Sequence, residues 1–198
     1  MAKLYFRYGA MQSGKSNTLI GIATNYQVQG KKVLILSPEK DTREKSQEGY
    51  VTSRSGAKLP CVRFGAQVSL FDVIRAHIEE LSVIPLYCVL VDEAQFLTKA
   101  HVLELTNVVD TLHIPVIAFG LKNDFRNELF EGSRYLLLYA DAIEEVKTVC
   151  WFCNRKATMN MRIDADGNAI TEGAQVLVGD TYLPVCRTCY KKHTQRQK

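Results

Sequence analysis

Gly9-Ala10-Met11-Gln12-Ser13-Gly14-Lys15-Ser16 has the pattern G-x-x-x-x-G-K-[ST], and it follows a short apolar run, Leu4-Tyr5-Phe6-Arg7-Tyr8. Residues of these types at this spacing can hold a polyphosphate. Glycines let the backbone curl until successive N–H groups point inward at an anion, and a helix that begins near Gly14 adds its positive end. Lys15 then reaches the outer phosphates, and the Ser16 hydroxyl is a Mg²⁺ ligand. A second candidate lies at Asp92-Glu93, directly after the apolar run Val89-Leu90-Val91. That position puts both carboxylates at the carboxyl end of a strand, where a phosphate-loop protein keeps the acidic residue of its Mg²⁺ site. Asp92 would hold the metal through water, leaving Glu93 to take a proton from a substrate hydroxyl or to orient a water.

A third constellation is Cys150-Trp151-Phe152-Cys153 with Cys186-Arg187-Thr188-Cys189. Each C-x-x-C turn offers two thiolates, and two such turns complete a closed tetrahedral Zn²⁺ site with no open coordination position. Such a site is structural. Cys61 and Cys88 stand among apolar residues and read as core packing.

The elements that must position these groups alternate. After the loop comes a helix over Asn17 to Gln29, closed by Gly30. Then follow the strands Lys32 to Ser37 and Cys61 to Phe64, a helix over Ser69 to Glu80, the strand Tyr87 to Val91, a helix over about Thr98 to Leu112, and the strand Pro115 to Phe119. Continuous apolar strands separated by amphipathic helices predict a parallel sheet covered on both faces. The fold class is therefore α/β, a phosphate-loop NTPase sheet of the RecA-like kind, with ligands bound outside the carboxyl ends of the strands. Between Thr158 and Ile163, and again over Gln175 to Val178, short strand-like runs flank the turn-rich Asp164-Ala165-Asp166-Gly167-Asn168. They predict a small β domain tethered by the zinc, whose task is to hold a loop in place. The expected boundaries are 1–146 for the nucleotide-binding domain, 147–192 for the zinc domain and 193–198 for a basic tail. From Pro38 to Pro60 the chain is polar and poor in packable side chains, which reads either as a tolerated surface loop or as a lid over bound nucleotide, with Arg54 reaching a phosphate.

Composition bounds the partners. The chain has 198 residues, 46% of them hydrophobic and 23% charged, so it holds enough apolar matter for one main domain and a small appendage. A net charge of +4 is too modest to call for a nucleic-acid surface, and the basic stretch from Arg187 to Lys198 reads as a solvated, frayed end. No apolar run approaches the roughly 20 residues that cross a bilayer, and the first strand leads straight into the phosphate loop without a leader segment. A cytoplasmic protein with free or metal-bound cysteines is the expectation.

Taken in order, Gly9 through Ser16 with Met11 inside the loop, Asp92-Glu93-Ala94-Gln95-Phe96, Gly120-Leu121-Lys122-Asn123-Asp124-Phe125 and the four paired cysteines closely resemble the zinc-containing, cytosolic class of thymidine kinases found in bacteria and animals. The match covers essentially the whole chain. The resemblance implies transfer of the γ-phosphoryl group of ATP to the 5′-hydroxyl of thymidine, a salvage step in DNA-precursor synthesis. It implies a nucleotide site made of the loop with Asp92, Glu93, Ala94 and Gln95, Glu93 as catalytic base, Phe125 packed on the thymine, and Phe96 and Leu121 shaping the base pocket. Val176, Leu177, Val178 and Gly179 with Tyr182 resemble the family's lasso loop, whose backbone hydrogen-bonds the base edge. A homotetramer and feedback inhibition by thymidine triphosphate are implied as well, with neither membrane nor nucleic acid as a partner.

Overall fold

The computed structural model describes residues 1–39, 49–81, 84–176 and 181–194. Six strands form one parallel sheet: β1 (Leu4–Tyr8), β2 (Lys32–Pro38), β5 (Val62–Phe64), β6 (Leu86–Val91), β7 (Val116–Gly120) and β8 (Ala142–Glu145), in the order β5-β2-β6-β7-β1-β8. The inner strands β2, β6 and β7 are mostly apolar because both faces are covered, whereas the edge strands β5 and β8 carry Arg63, Glu144 and Glu145. Along the inner strands the two-residue period divides the side chains between two cores. Leu34 and Leu36 of β2 and Val89 and Val91 of β6 enter one core, together with residues of α2 (Leu70–Glu80), α3 (Lys99–Thr111) and α4 (Glu131–Tyr139). Ile35, Cys88, Leu90 and Phe119 face the other, against Leu19, Ile20 and Ala23 of α1 (Lys15–Val28). Cys88 is thus a core residue, and burial pushes its thiol up to about 12.

Helix ends show which termini the sheet must hold rigid. Ser69 caps α2 by accepting the Asp72 N–H at 3.2 Å, and Glu104 of α3 accepts the Leu70 N–H at 2.6 Å. At α3, Thr98 and His101 form a reciprocal capping box. The N-terminus of α1 carries no side-chain cap.

Between β2 and β5, residues 49–60 form a hairpin of β3 (Tyr50–Thr52) and β4 (Lys58–Pro60), not the continuous loop that its polarity suggests. Val51, its one fully buried apolar side chain, anchors it on the α1 core with Leu59 packed beside it, and Ser53 is buried in the turn. The rest of the polar stretch, 40–48, lies outside the described residues.

A second sheet is antiparallel, with β9 (Met159–Ile163) between β10 (Ala169–Ile170) and β11 (Thr181–Val185). The strand expected over Gln175 to Val178 differs from this: Gln175 and Val176 are not in a strand, Leu177 and Val178 lie outside the described residues, and β11 starts at Thr181. Pro184 hid β11 from the sequence. It is tolerated there because β11 is an edge strand with one hydrogen-bonded neighbour. The basic segment from Arg187 is also a correction, since Arg187–Thr194 forms α5, whose Tyr190 packs on the small core and donates its hydroxyl to the Phe125 carbonyl at 2.7 Å. Residues 195–198 lie outside the described part.

Candidate functional site

The phosphate loop leaves the carboxyl end of β1, and its start is fixed by a bond from the Gly9 N–H to the Gly120 carbonyl at 3.2 Å. A Cβ on Gly9 would collide with the Ser13 hydroxyl and the Val146 carbonyl, so only glycine lets the loop turn back this tightly. Gln12 at φ 61 and Gly14 at φ 83 adopt left-handed conformations that turn the loop's backbone into a concave nest of N–H groups. The Lys15 ammonium lies inside that curve, donating to the carbonyls of Ala10 at 3.0 Å and Gly9 at 3.3 Å. The loop's own carbonyls thus hold this ammonium close to the backbone.

β7 lies between β1 and β6, which puts the loop and Asp92 about two strand spacings, roughly 10 Å, apart in the sheet. The first turn of α1 closes this gap: the Ser16 hydroxyl donates to Asp92 Oδ2 at 3.4 Å. A hydroxyl and a carboxylate brought together beside a phosphate nest are the oxygen donors that Mg²⁺ takes. Asp92 itself is buried and tied back through its N–H to the Leu36 carbonyl at 2.9 Å.

Glu93 follows in a left-handed conformation, φ 49, which is costly for a residue with a side chain. The twist ends β6 and lets the one-turn 3₁₀ helix Ala94–Phe96 begin. Gln95 holds the Glu93 carboxylate through its amide Nε2, while its Oε1 accepts the Leu121 N–H at 3.0 Å. One buried amide thus orients the candidate base and joins it to the chain after β7. This bridging geometry of Gln95 is beyond what its place in the motif could tell.

Phe125 has 1% of its surface exposed, with the Arg162 guanidinium 5.2 Å and the Arg126 guanidinium 5.8 Å from its ring centroid. The same two arginines donate to the Ala174 and Gly173 carbonyls, both at 3.4 Å, so the chain entering the expected lasso is pinned beside this ring. Leu121 is buried and Phe96 half-buried, its ring edge-on to Phe130. Val176 is exposed and Tyr182 half-buried, while Leu177, Val178 and Gly179 lie outside the described residues. Arg54 sits exposed in the β3–β4 turn. The neighbouring Ser55 donates to Asn17, one residue beyond Ser16, at 2.9 Å, which docks that turn against the start of α1.

The four paired cysteines converge. Their sulfurs all lie within 4.8 Å of one another, with Cys153 3.7 Å from both Cys186 and Cys189. A tetrahedral zinc with Zn–S bonds of about 2.3 Å requires sulfur–sulfur edges of about 3.8 Å. The electrostatics point the same way. Burial alone would raise the Cys150 thiol, but N–H groups of the two turns outweigh it and bring it down to about 7. Burial and the neighbouring thiols push Cys189 up to about 12. Both shifts follow from four thiols sharing one small volume beside the N–H groups of two turns.

A family model described as thymidine kinase matches residues 2–190. The chain belongs to the thymidine kinase family. It is 55% identical over 193 residues to a thymidine kinase of Shouchella clausii, covering 96% of this chain and 97% of the relative. Over 194 residues it is 53% identical to a thymidine kinase of Lactococcus lactis, covering 97% and 98%. Among the described residues no helix is long and apolar enough to cross a membrane.

Asn160 is the residue that sequence reading missed. It stands in β9 between Met159 and Met161, 2% exposed, with its Oδ1 on the Met11 N–H at 2.7 Å and its Nδ2 on the Asn123 carbonyl at 2.8 Å. The alternation Met159-Asn160-Met161-Arg162-Ile163 was the available signal: a polar face on a strand that has no solvent side.

Proposed function

We propose that this thymidine kinase transfers the terminal phosphoryl group of ATP to the 5′-hydroxyl of thymidine, with Glu93 as general base. The observation that carries the reading is the meeting of Lys15, Ser16, Asp92 and an amide-oriented Glu93 at the carboxyl ends of β1 and β6. Gly9, Ala10, Met11, Gln12, Ser13 and Gly14 cradle the phosphates, with Lys15 on the outer ones. Ala94 and Gln95 complete the nucleotide site, and Arg54 reaches it from the docked β3–β4 turn. Ser16 and Asp92 hold Mg²⁺, which when bound neutralises charge on the phosphate oxygens. Glu93 accepts the 5′-hydroxyl proton as the oxygen bonds to the γ-phosphorus and the bond from that phosphorus to the β–γ bridging oxygen breaks, releasing ADP. The remainder of the catalysis is positioning.

Thymidine lies in this reading against Phe125, with Phe96 and Leu121 shaping the pocket and the lasso, Val176 to Gly179 with Tyr182, enclosing the base. Zinc on Cys150, Cys153, Cys186 and Cys189 keeps that lasso in place. We read 1–146 as the nucleotide-binding domain, 147–192 as the zinc domain and 193–198 as a tail. A cytoplasmic homotetramer, inhibition by thymidine triphosphate, a role in DNA-precursor synthesis and no nucleic-acid partner complete the proposal. A spectrophotometric ADP-release assay with thymidine and Mg-ATP tests it. Thymidine-dependent turnover is expected, and its absence in zinc-replete protein overturns the reading.

A further inference from the structure

Two loops of the large sheet and one strand of the small sheet meet at a single side chain. Met161 of β9 is buried in the small core, with Met159 and Ile163 packed against it, and the alternation of the strand turns Asn160 the opposite way, into the large lobe. There its carboxamide takes the Met11 N–H from the crown of the phosphate loop and gives an N–H to the Asn123 carbonyl, two residues before Phe125. Only a side chain with both a donor and an acceptor can satisfy these two partners at once. On the adjacent strand the Tyr182 carbonyl accepts from Gln12 Nε2 at 3.1 Å. Consecutive residues of the phosphate loop are therefore tied to paired strands, since Tyr182 stands opposite Arg162 in the β9–β11 register.

We propose that Asn160 is a positioning residue that couples the phosphate end of the site to its nucleoside end. The proposal rests on the functional reading above, in which nucleotide fills the loop and thymidine lies between Phe125 and the small sheet. Closing the small lobe on a base moves β9, and through Asn160 the Met11 peptide must follow. A phosphate that sets the loop's backbone acts on β9 through the same bond in the other direction. Coupling between two ligands is reciprocal, so each must raise the affinity of the other by the same factor. Asn160 itself touches neither ligand in this scheme.

Calorimetric titration of the zinc-loaded protein tests this. Thymidine affinity is measured with and without saturating magnesium and the non-hydrolysable β,γ-imido analogue of ATP, and analogue affinity with and without thymidine. The parent is expected to show mutual enhancement of about fivefold or more. Asn160→Ala should bring the factor to within about twofold of unity while each ligand still binds alone. Asn160→Asp keeps the acceptor for Met11 but loses the donor for Asn123, and should fall between. Hydrogen exchange separates positioning from mere folding: thymidine alone should slow exchange of the Met11 amide in the parent and not in Asn160→Ala. If the alanine variant melts early or loses zinc, Asn160→Leu, which keeps the volume with neither donor nor acceptor, is held to the same criterion. Undiminished coupling in a folded variant, or no coupling in the parent, overturns the proposal. A parent that binds neither thymidine nor the analogue removes the functional reading, and the proposal with it.

Discussion

The two sheets solve the problem of stability in opposite ways. The parallel sheet buries side chains on both faces, and its helices α2 and α3 are capped by side chains. It can leave α1 uncapped and the phosphate loop strained in left-handed backbone without losing its shape. The antiparallel sheet has a core of Met161, Ala169, Leu183 and Val185, in which Cys150 and Cys186 are themselves part of the packing. So small a core calls for a staple, and the four clustered cysteines are placed to hold one. The lesson is a division of labour: the loop with the phosphate-binding pattern sits on a lobe with a core on each face of its sheet, and the strands that touch that loop sit on a lobe whose small core includes two of the four clustered cysteines.

Metal removal breaks this contrast most strongly. Structural zinc is worth on the order of 10 kcal/mol to a small fold, more than the small core can replace. Elemental analysis should find one Zn²⁺ per chain. After chelation, or in Cys186→Ser, amides of β9 and β11 should lose protection from exchange while those of β1, β6 and β7 keep it. Equal loss in both sheets would show that the lobes are one cooperative unit.

Substitutions on the large sheet should do the reverse, removing chemistry and sparing structure. Lys15→Ala is expected to abolish detectable phosphorylation with an unchanged far-ultraviolet circular dichroism spectrum, since Lys15 contacts the loop and belongs to neither core. Glu93→Gln should cost less, roughly 10²- to 10⁴-fold in turnover, the range of a general base. The amide oxygen of the variant can still accept from Gln95, so thymidine and nucleotide binding should persist. Single-turnover and titration measurements separate the two effects, and near-parent turnover removes Glu93 from the base role.

What sequence could disclose follows the same division. The phosphate loop, Asp92-Glu93 and the cysteine pairs are local patterns whose chemistry needs only spacing, and the strands that lead into the first two, β1 and β6, are mostly apolar runs. Elements whose existence depends on distant partners were harder to see. β8 forms because β1 offers a free edge, with Tyr5 opposite Ala142, and α4 buries little beyond Leu136 among its large side chains. The β3–β4 hairpin rests on Val51 as its one buried apolar residue, and β11 is broken in pattern by Pro184. The bonds of Asn160 and Gln95 join segments far apart in the chain, or depend on the left-handed turn at Glu93, so neither could be read from spacing.

The smallest expected effect tests where the two lobes touch. Phe125 belongs to the large lobe, yet Arg162 of β9 covers its ring and Tyr190 of α5 holds its carbonyl. In the proposed site, truncation to alanine would remove ring contact with the base, and loss of a stacked aromatic pair is worth about 0.5–1.5 kcal/mol, which corresponds to roughly two- to twelvefold in affinity. Tyr182→Ala should weaken thymidine less, because the bond that Tyr182 gives the phosphate loop comes from its backbone carbonyl and survives the change. Nucleotide affinity measured without thymidine should be unaltered in both variants, since the proposal assigns both rings to the base and neither to the phosphates. Calorimetric titration with each ligand separates the cases. A loss of nucleotide affinity in Phe125→Ala that equals its loss of thymidine affinity would mean that the ring supports both lobes as a structural wedge, and the base would then have to stack elsewhere.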